Sequence, residues 1–453
     1  MDARMIVVAN RLPVRRVEDA WRTSPGGLVS SLTPILRERD GRWIGWTGAP
    51  DDPAGPFEHE GIEQYPIALD EADIEGYYLG FSNATIWPLY HDAIRAPEFH
   101  RTWWRTYRDV NRRFAAAAAA VADPGDFVWV QDYHLQLVPG FLRETAPGLK
   151  IGFYLHIPFP PVEIYSRMPW RRQVLDGILG SDLVGFQTEL AVRNFCRAAA
   201  LIAGARVEGD EIHHGGGVTR VLRAPISIDV EDFESRASSP ETGERVRKLR
   251  ADLHEPARVV LGVDRLDYTK GIDVRLRAFE ALLEQHPERA DDTVFVQVAV
   301  PSREALGDYE EIRRSVEEIV GRINGAHGRP HRMPVHYLYG GLDRDDLVTY
   351  YRAADVMCIT PLRDGMNLVA KEYVVSRPDR DGVLVLSEFA GAANEFGEAL
   401  LVNPYDIDGM ATILHRAITL PPDEQRRRMG PLQDRVRSED VHFWAARFLD
   451  AMP

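Results

Sequence analysis

The chain has 453 residues, 45% of them hydrophobic, which suits two or three ordinary cores. Its 69 acidic and 54 basic residues leave a formal charge of -15. That argues against the broad basic face a nucleic acid or an anionic membrane needs, but not against a locally basic pocket for a small anion. Cys196 and Cys358 stand far apart among apolar neighbours, so neither a disulfide framework nor a thiolate metal site is expected. The start, RMIVVANRLPV, lacks the pattern of a secretory leader, and no apolar run of about 18 residues occurs. A cytoplasmic protein without a membrane span is expected.

In chain order, the strand candidates are MIVVA (5–9), FVWVQ (127–131), KIGFYLH (150–156) and DLVGFQ (182–187). A second series follows: RVVLGV (258–263), TVFVQVAV (293–300), VHYLY (335–339), DVMCIT (355–360) and GVLVLS (382–387). Amphipathic stretches separate them, among them RTWWRTYRDVNRRFAAAAAAVA, VRLRAFEALLEQH and DYEEIRRSVEEIVGRI. Alternation of this kind predicts an α/β protein of two Rossmann-like, doubly wound parallel-sheet domains facing a cleft. The strand series is interrupted over 189–255, and the domain boundary is placed near 230. The expected domains are 1–230 and 231–435, with a helix over 436–453 whose apolar stripe suits packing back on the first domain. No internal repeat is evident, and the alanine run 115–120 suits a helix face.

Several strand ends carry polar groups. Asn10 and Arg11 follow the first strand; a surface arginine is the plain reading. Gly26 and Gly27 precede the run LVSSL, where glycines before a helix let backbone N–H groups approach a phosphate, although most such pairs are simple turns. Arg265, Lys270 and Gly271 lie in GVDRLDYTKG (262–271). Two cations in one strand-to-helix loop suit a diphosphate, whereas Asp264 and Asp267 offer an ion-paired loop as the alternative. Arg303 ends the next strand in PSRE. Asp132, His134 and His156 follow strands in WVQDYHL and FYLHIPFPP, where a satisfied hydrogen-bonding residue is commoner than a catalyst. Tyr77, Tyr78, Trp87 and Tyr90 fall in GYYLGFSNATIWPLYHD; such rings are mostly core, yet tyrosine and tryptophan also pack on sugars.

TPLRDGMNLVAKEYV (360–374) crowds Asp364, Gly365 and Asn367 at a helix mouth and puts Glu372 one turn inside. A cap needs one oxygen. The rest is explained if Asp364 accepts sugar hydroxyls, the N–H groups of Met366 to Val369 meet a phosphate, and Glu372 grips a ribose diol. SEFAGAANEF adds a small-residue turn with Glu388 as a further candidate.

Taken together, VVANRLPV, SPGGL, WIGWTG, FSNATIWPLYH, WVQDYHL, GFYLHIPFP, DLVGFQT, DRLDYTKG, TPLRDGMNLVAKEYV, VLSEFAGAANE and LVNPYD run almost end to end. In this order they resemble the trehalose-6-phosphate synthase family, retaining sugar-nucleotide glucosyltransferases of family 20 and GT-B type. The resemblance implies that Arg11 and Arg303 hold an acceptor phosphate, that Tyr78 and Trp87 line the acceptor side, and that Asp132 touches acceptor hydroxyls. It implies that the loop of Gly26 and Gly27 closes over the donor, that Arg265 and Lys270 meet the donor diphosphate, and that His156 and Asp364 contact the transferred glucose. Gly365, Met366, Asn367, Leu368 and Val369 fall near the diphosphate, Glu372 at the ribose and Leu342 near the base. RRVEDAWRT between Arg11 and Gly26, and the small residues of YGGLDRDDL, are departures that leave uridine, adenosine or guanosine undecided. No phosphatase domain is expected after Pro453.

The expected reaction moves glucose from a nucleoside diphosphate glucose, uridine diphosphate glucose first, to C1 of glucose 6-phosphate with retention, giving α,α-trehalose 6-phosphate. Arg265, Lys270, His156 and Asp364 carry the chemistry. No cofactor and no obligatory metal are expected, and assembly of several copies is compatible with the sequence. The competing readings are another phosphorylated acceptor, such as glycerol 3-phosphate or a pseudo-sugar phosphate, and a sugar-phosphate-binding protein without turnover. A nicotinamide-dependent oxidoreductase is disfavoured, because no G-x-G-x-x-G follows the first strand.

Overall fold

The computed structural model describes residues 4–17, 20–24, 26–303 and 307–453. The chain divides into two compact units, Met1–Ile226 with His442–Pro453, and Ser227–Val441.

The first unit contains β1 (Met5–Arg11), β2 (Val14–Val17), β3 (Ala20–Thr23), β4 (Arg42–Trp46), β5 (Phe57–His59), β6 (Ile62–Pro66), β7 (Phe127–Gln131), β8 (Lys150–Leu155), β9 (Leu183–Phe186), β10 (Arg206–Glu208), β11 (Glu211–His214) and β12 (Gly217–Arg223). Its main sheet runs β10-β11-β12-β9-β8-β7-β1-β4-β6-β5. From β12 to β6 the neighbours are parallel. The edges are not: β10, β11 and β12 pair antiparallel, as do β5 and β6. The expected all-parallel sheet is therefore corrected at its margins. Edge strands have one open side and need no helix cover on both faces, so short polar segments such as Arg206–Glu208 serve there.

Central strands are continuous apolar runs because both faces are covered; the first six residues of β1 are all buried. The helix Arg101–Val121 buries Trp104, Tyr107, Val110, Phe114 and Ala118, one stripe at helical spacing. The helix Val441–Asp450 belongs to this unit from His442 onward. Trp444 and Phe448, four residues apart, stack on Trp129 at 5.0 and 4.6 Å. Gly152 in β8 and Gly185 in β9 leave the room: a Cβ there would stand 2.8 and 2.6 Å from the Phe448 ring.

The second unit holds β13 (Arg258–Arg265), β14 (Thr293–Val300), β15 (Val335–Tyr339), β16 (Val356–Ile359), β17 (Val383–Ser387) and β18 (Leu400–Val402). Their order is β15-β14-β13-β16-β17-β18, parallel throughout. The core includes Val260, Phe279, Leu282, Phe295, Val316, Val385 and Leu414.

Both sheets are wound outward from their first strand. The winding reverses between β1 and β7 in the first unit, and between β13 and β16 in the second. At such a reversal the loops leaving two neighbouring strand ends part, and a crevice opens between them.

Candidate active site

In the first unit, several polar side chains stand at the strand ends beside the reversal. Arg11 closes β1 with its guanidinium 3.9 Å from the centroid of the Trp46 ring and 5.5 Å from that of Tyr78. A Cβ at Gly48, whose φ is +103°, would overlap that guanidinium, so glycine makes the seat. Asn10 accepts a hydrogen bond from the Tyr77 hydroxyl at 2.8 Å. Tyr77 and Tyr78 lie on a wide π-type helical segment, Ile74–Ile86, which leads into Trp87–Tyr90. Tyr78 stacks on His134 at 5.9 Å. Trp87 is buried, with its ring against His91 and Tyr133.

Asp132 follows β7 at φ 69°, ψ 172°, a region otherwise reserved to glycine. Its main chain is held there by a hydrogen bond from Asp132 N to the Tyr154 carbonyl at 2.8 Å. Its carboxylate accepts from the main-chain N–H of His156 at 3.1 Å. The His156 ring sets Nε2 2.9 Å from Gln131 Oε1. Burial lowers its pKa to about 3, so the imidazole is neutral at ordinary pH. Gly26 and Gly27 open the helix Gly27–Arg37, whose first turn carries no acidic residue.

In the second unit, the loops after β13 and β16 meet. Lys270 ends a 3-10 turn, Tyr268–Lys270, and donates from Nζ to Asp364 Oδ2 at 2.6 Å. The same oxygen accepts from Asn367 Nδ2 at 3.1 Å. Asn367, at φ 83°, caps the helix Leu368–Val375 by accepting from Ala370 N. The crowd of polar groups at this helix mouth thus resolves into one cap, one carboxylate and one lysine. Leu368 and Val369 occupy the first turn, and Gly365 and Met366 are buried beneath it. Gly391 packs so closely on the Gly365 carbonyl that no Cβ fits. Glu372 accepts from the Tyr351 hydroxyl at 2.7 Å; burial raises its pKa, with Tyr351 and Arg344 pulling the other way.

Arg265 is exposed at the end of β13. The ion-paired alternative for its loop holds in part. Asp264 pairs with the buried Arg275, and Asp267 with Arg303 at 3.2 Å, while Tyr309 donates to Asp267 at 3.0 Å. Burial alone would push Asp267 up; Arg303, Arg265, the Thr269 N–H and Lys270 together hold its pKa at about 2. Arg303, at φ 50°, has a side chain only 4% exposed. Leu342 lies half-buried between β15 and the helix Arg344–Ala353.

The expected residues therefore fall into two groups. Arg11, Gly26, Gly27, Tyr78, Trp87, Asp132 and His156 belong to the first unit; Arg265, Lys270, Arg303, Leu342 and Asp364 to Glu372 belong to the second. Gln131, Tyr309 and Tyr351, which hold His156, Asp267 and Glu372, carry no signal in the sequence. Each reads as a core position until its hydrogen bond is seen.

Among the described residues, His286, Glu288 and His415 bring ligand atoms within 4.8 Å of one another. The two imidazoles, however, stack at 3.7 Å with planes 4° apart. Their lone pairs lie in near-parallel planes and do not converge on a point roughly 2.0–2.1 Å from each, as a bound zinc ion demands. The trio is a packing contact.

The model of glycosyltransferase family 20 matches residues 3–453. The chain belongs to glycosyltransferase family 20. It is 50% identical over 470 aligned residues to the trehalose-6-phosphate synthase of Mycolicibacterium gilvum, covering 99% of this chain and 93% of that one. To the enzyme of that name from Mycolicibacterium smegmatis it is 49% identical, covering 99% and 92%. Among solved structures, the UDP-forming alpha,alpha-trehalose-phosphate synthase of Burkholderia xenovorans in complex with glucose-6-phosphate superposes with a TM-score of 0.93. Its identity is 37%, over 99% of this chain and all of that one. An E. coli structure bound with UDP-2-fluoro glucose gives 0.92 at 35% identity, over 99% of each chain. The family 20 chain is thus a glycosyltransferase of the α/β, GT-B class. None of its described helices is long and apolar enough to cross a membrane.

Proposed function

We infer that the chain transfers glucose from uridine diphosphate glucose to glucose 6-phosphate with retention, forming α,α-trehalose 6-phosphate. The observation that carries this is the contact of Lys270 with Asp364 at the winding reversal of the second sheet, beside the opening of the helix Leu368–Val375. A cation, a hydroxyl-accepting carboxylate and a helix N-terminus there suit a glucose joined to a diphosphate. Likeness to synthases along nearly the whole chain supports the same reading.

In the step we propose, the bond from glucose C1 to the diphosphate oxygen breaks while the C1 hydroxyl oxygen of glucose 6-phosphate bonds to that carbon. The hydroxyl proton passes to the departing diphosphate, and both partners lie on one face of the sugar. Arg265, Lys270 and the N–H groups at Leu368 and Val369 stabilise the charge on the leaving group. Gly26 and Gly27 cover the donor, Glu372 holds the ribose, Leu342 flanks the base, and Asp364 and neutral His156 orient the glucose. Arg11, Tyr78, Trp87 and Asp132 hold the acceptor; Arg303 joins its phosphate by giving up part of its contact with Asp267. The reaction takes place in the cytoplasm.

The test is incubation of the purified chain with UDP-, ADP- and GDP-glucose against glucose 6-phosphate, glycerol 3-phosphate and other sugar phosphates. The expected product is a phosphorylated 1,1-linked α,α-disaccharide, made fastest from UDP-glucose. A different acceptor, a different linkage or no product at all overturns the reading.

A further inference from the structure

Arg275 lies on the helix Ile272–Gln285 with its side chain 0% exposed, among the buried Ile272, Leu276, Ala278 and Phe279. A helix position of that kind ordinarily takes an apolar side chain. Its guanidinium instead lies under the reversal point of the second sheet. Nη1 donates to the Cys358 carbonyl in β16 at 2.9 Å. Nη2 donates to the Lys270 carbonyl at 2.9 Å and to the Asp264 carboxylate in β13. Gly262 in β13 clears the space, since a Cβ there would stand 2.5 Å from Nη1. One fork therefore holds the main chain of Lys270, the strand before its loop and the strand that runs out toward Asp364.

A buried ion pair adds little stability over an apolar side chain of equal volume. What the arginine supplies, and a methionine would not, is a planar set of donors that fixes two strands and a loop in one register. Lys270 is the residue for which that register matters most, because its Nζ must meet Asp364 and the donor diphosphate at once.

We propose that Arg275 is a positioning residue: it fixes the Lys270 loop so that the lysine can engage the donor diphosphate. The proposal rests on the donor reading given above. It predicts coupling between two side chains that do not touch.

The test is a double-mutant cycle read by calorimetric binding of uridine diphosphate to the full-length chain, with synthase turnover alongside. Arg275→Met in the wild-type background is expected to weaken nucleotide binding about tenfold. In the Lys270→Ala background the same change should cost less than about twofold, because the residue it positions has gone. The KM for glucose 6-phosphate should stay unchanged. Equal losses in the two backgrounds, or none in either, would mean that Arg275 only supports the fold, and would overturn the proposal. Should Arg275→Met fail to fold, Arg275→Lys keeps the charge without the fork and is carried through the same cycle with the same criteria. A wild-type chain that binds no uridine diphosphate defeats the donor reading itself, a result separate from an uncoupled cycle.

Discussion

Lys270 Nζ and Asp364 Oδ2 are 2.6 Å apart although 94 residues separate them in the chain. The pair is mostly buried, with side-chain exposures of 10% and 13%. A lysine so placed is oriented before any ligand arrives and needs little reorganisation when charge develops nearby.

Replacing Lys270 by alanine is expected to cut kcat by about 10²- to 10³-fold, as loss of one preorganised donor does in a dry site. The KM for glucose 6-phosphate should change less than about threefold. Steady-state kinetics with each substrate varied in turn makes the comparison; near-normal turnover would remove Lys270 from the mechanism.

Asp132 carries backbone strain at φ 69°, ψ 172°. Asp132→Gly and Asp132→Ala both remove the carboxylate and its bond from His156 N, but only glycine adopts that backbone freely. The glycine variant should unfold at higher urea than the alanine variant, by ~1–3 kcal/mol. Both should lose acceptor affinity to a similar degree. Equal stabilities would show that the strain is not there.

His156 titrates near 3 in the folded chain and near 6.5 when unfolded. Its folded pKa is depressed, and it is a base, so the unfolded state binds the extra proton. This contribution to stability is therefore complete above about pH 6.5 and is lost as the pH falls toward 3. In His156→Gln the slope of unfolding free energy against pH over that window should be shallower than in the wild type. Parallel slopes from chemical denaturation would contradict the assignment.

Lys371 and Glu395 form an ion pair at 2.8 Å, each side chain 2% exposed. It joins the helix Leu368–Val375 to the end of the 3-10 turn Gly391–Asn394. Lys371→Met alone leaves a buried carboxylate and should destabilise the second unit by ~3–5 kcal/mol. Lys371→Met with Glu395→Leu should recover most of that loss. Thermal unfolding of the two variants decides; a double variant no better than the single would mean that the charges themselves stabilise the fold.

Nine strands were legible from β-branched runs, because in a parallel sheet both faces are buried and nothing interrupts the apolar sequence. VHYLY and TVFVQVAV match β15 and β14 residue for residue. The segments at 206–223 were not legible. Strands such as EIHH and GVTRVLR are partly exposed and polar, and take their place from the neighbour they pair with. Candidate residues at strand ends could be named because they stand out as polar after an apolar run. Those that hold them could not. Arg275 reads as one more charge on an amphipathic helix, and Tyr351 as one more core ring; only the folded contacts separate them from their neighbours.

The helix Val441–Asp450 completes the first unit from the far end of the chain. While the polypeptide emerges from the ribosome, the aromatic face of Trp129 and Tyr154 has to wait for Trp444 and Phe448 until more than two hundred further residues have been made. The second unit, continuous from Ser227 to Val441, has all its parts before the first does. Expressed as a fragment, residues 227–441 should be the tractable half. Residues 1–226 alone should be sticky, with an uncovered ring surface where the last helix belongs.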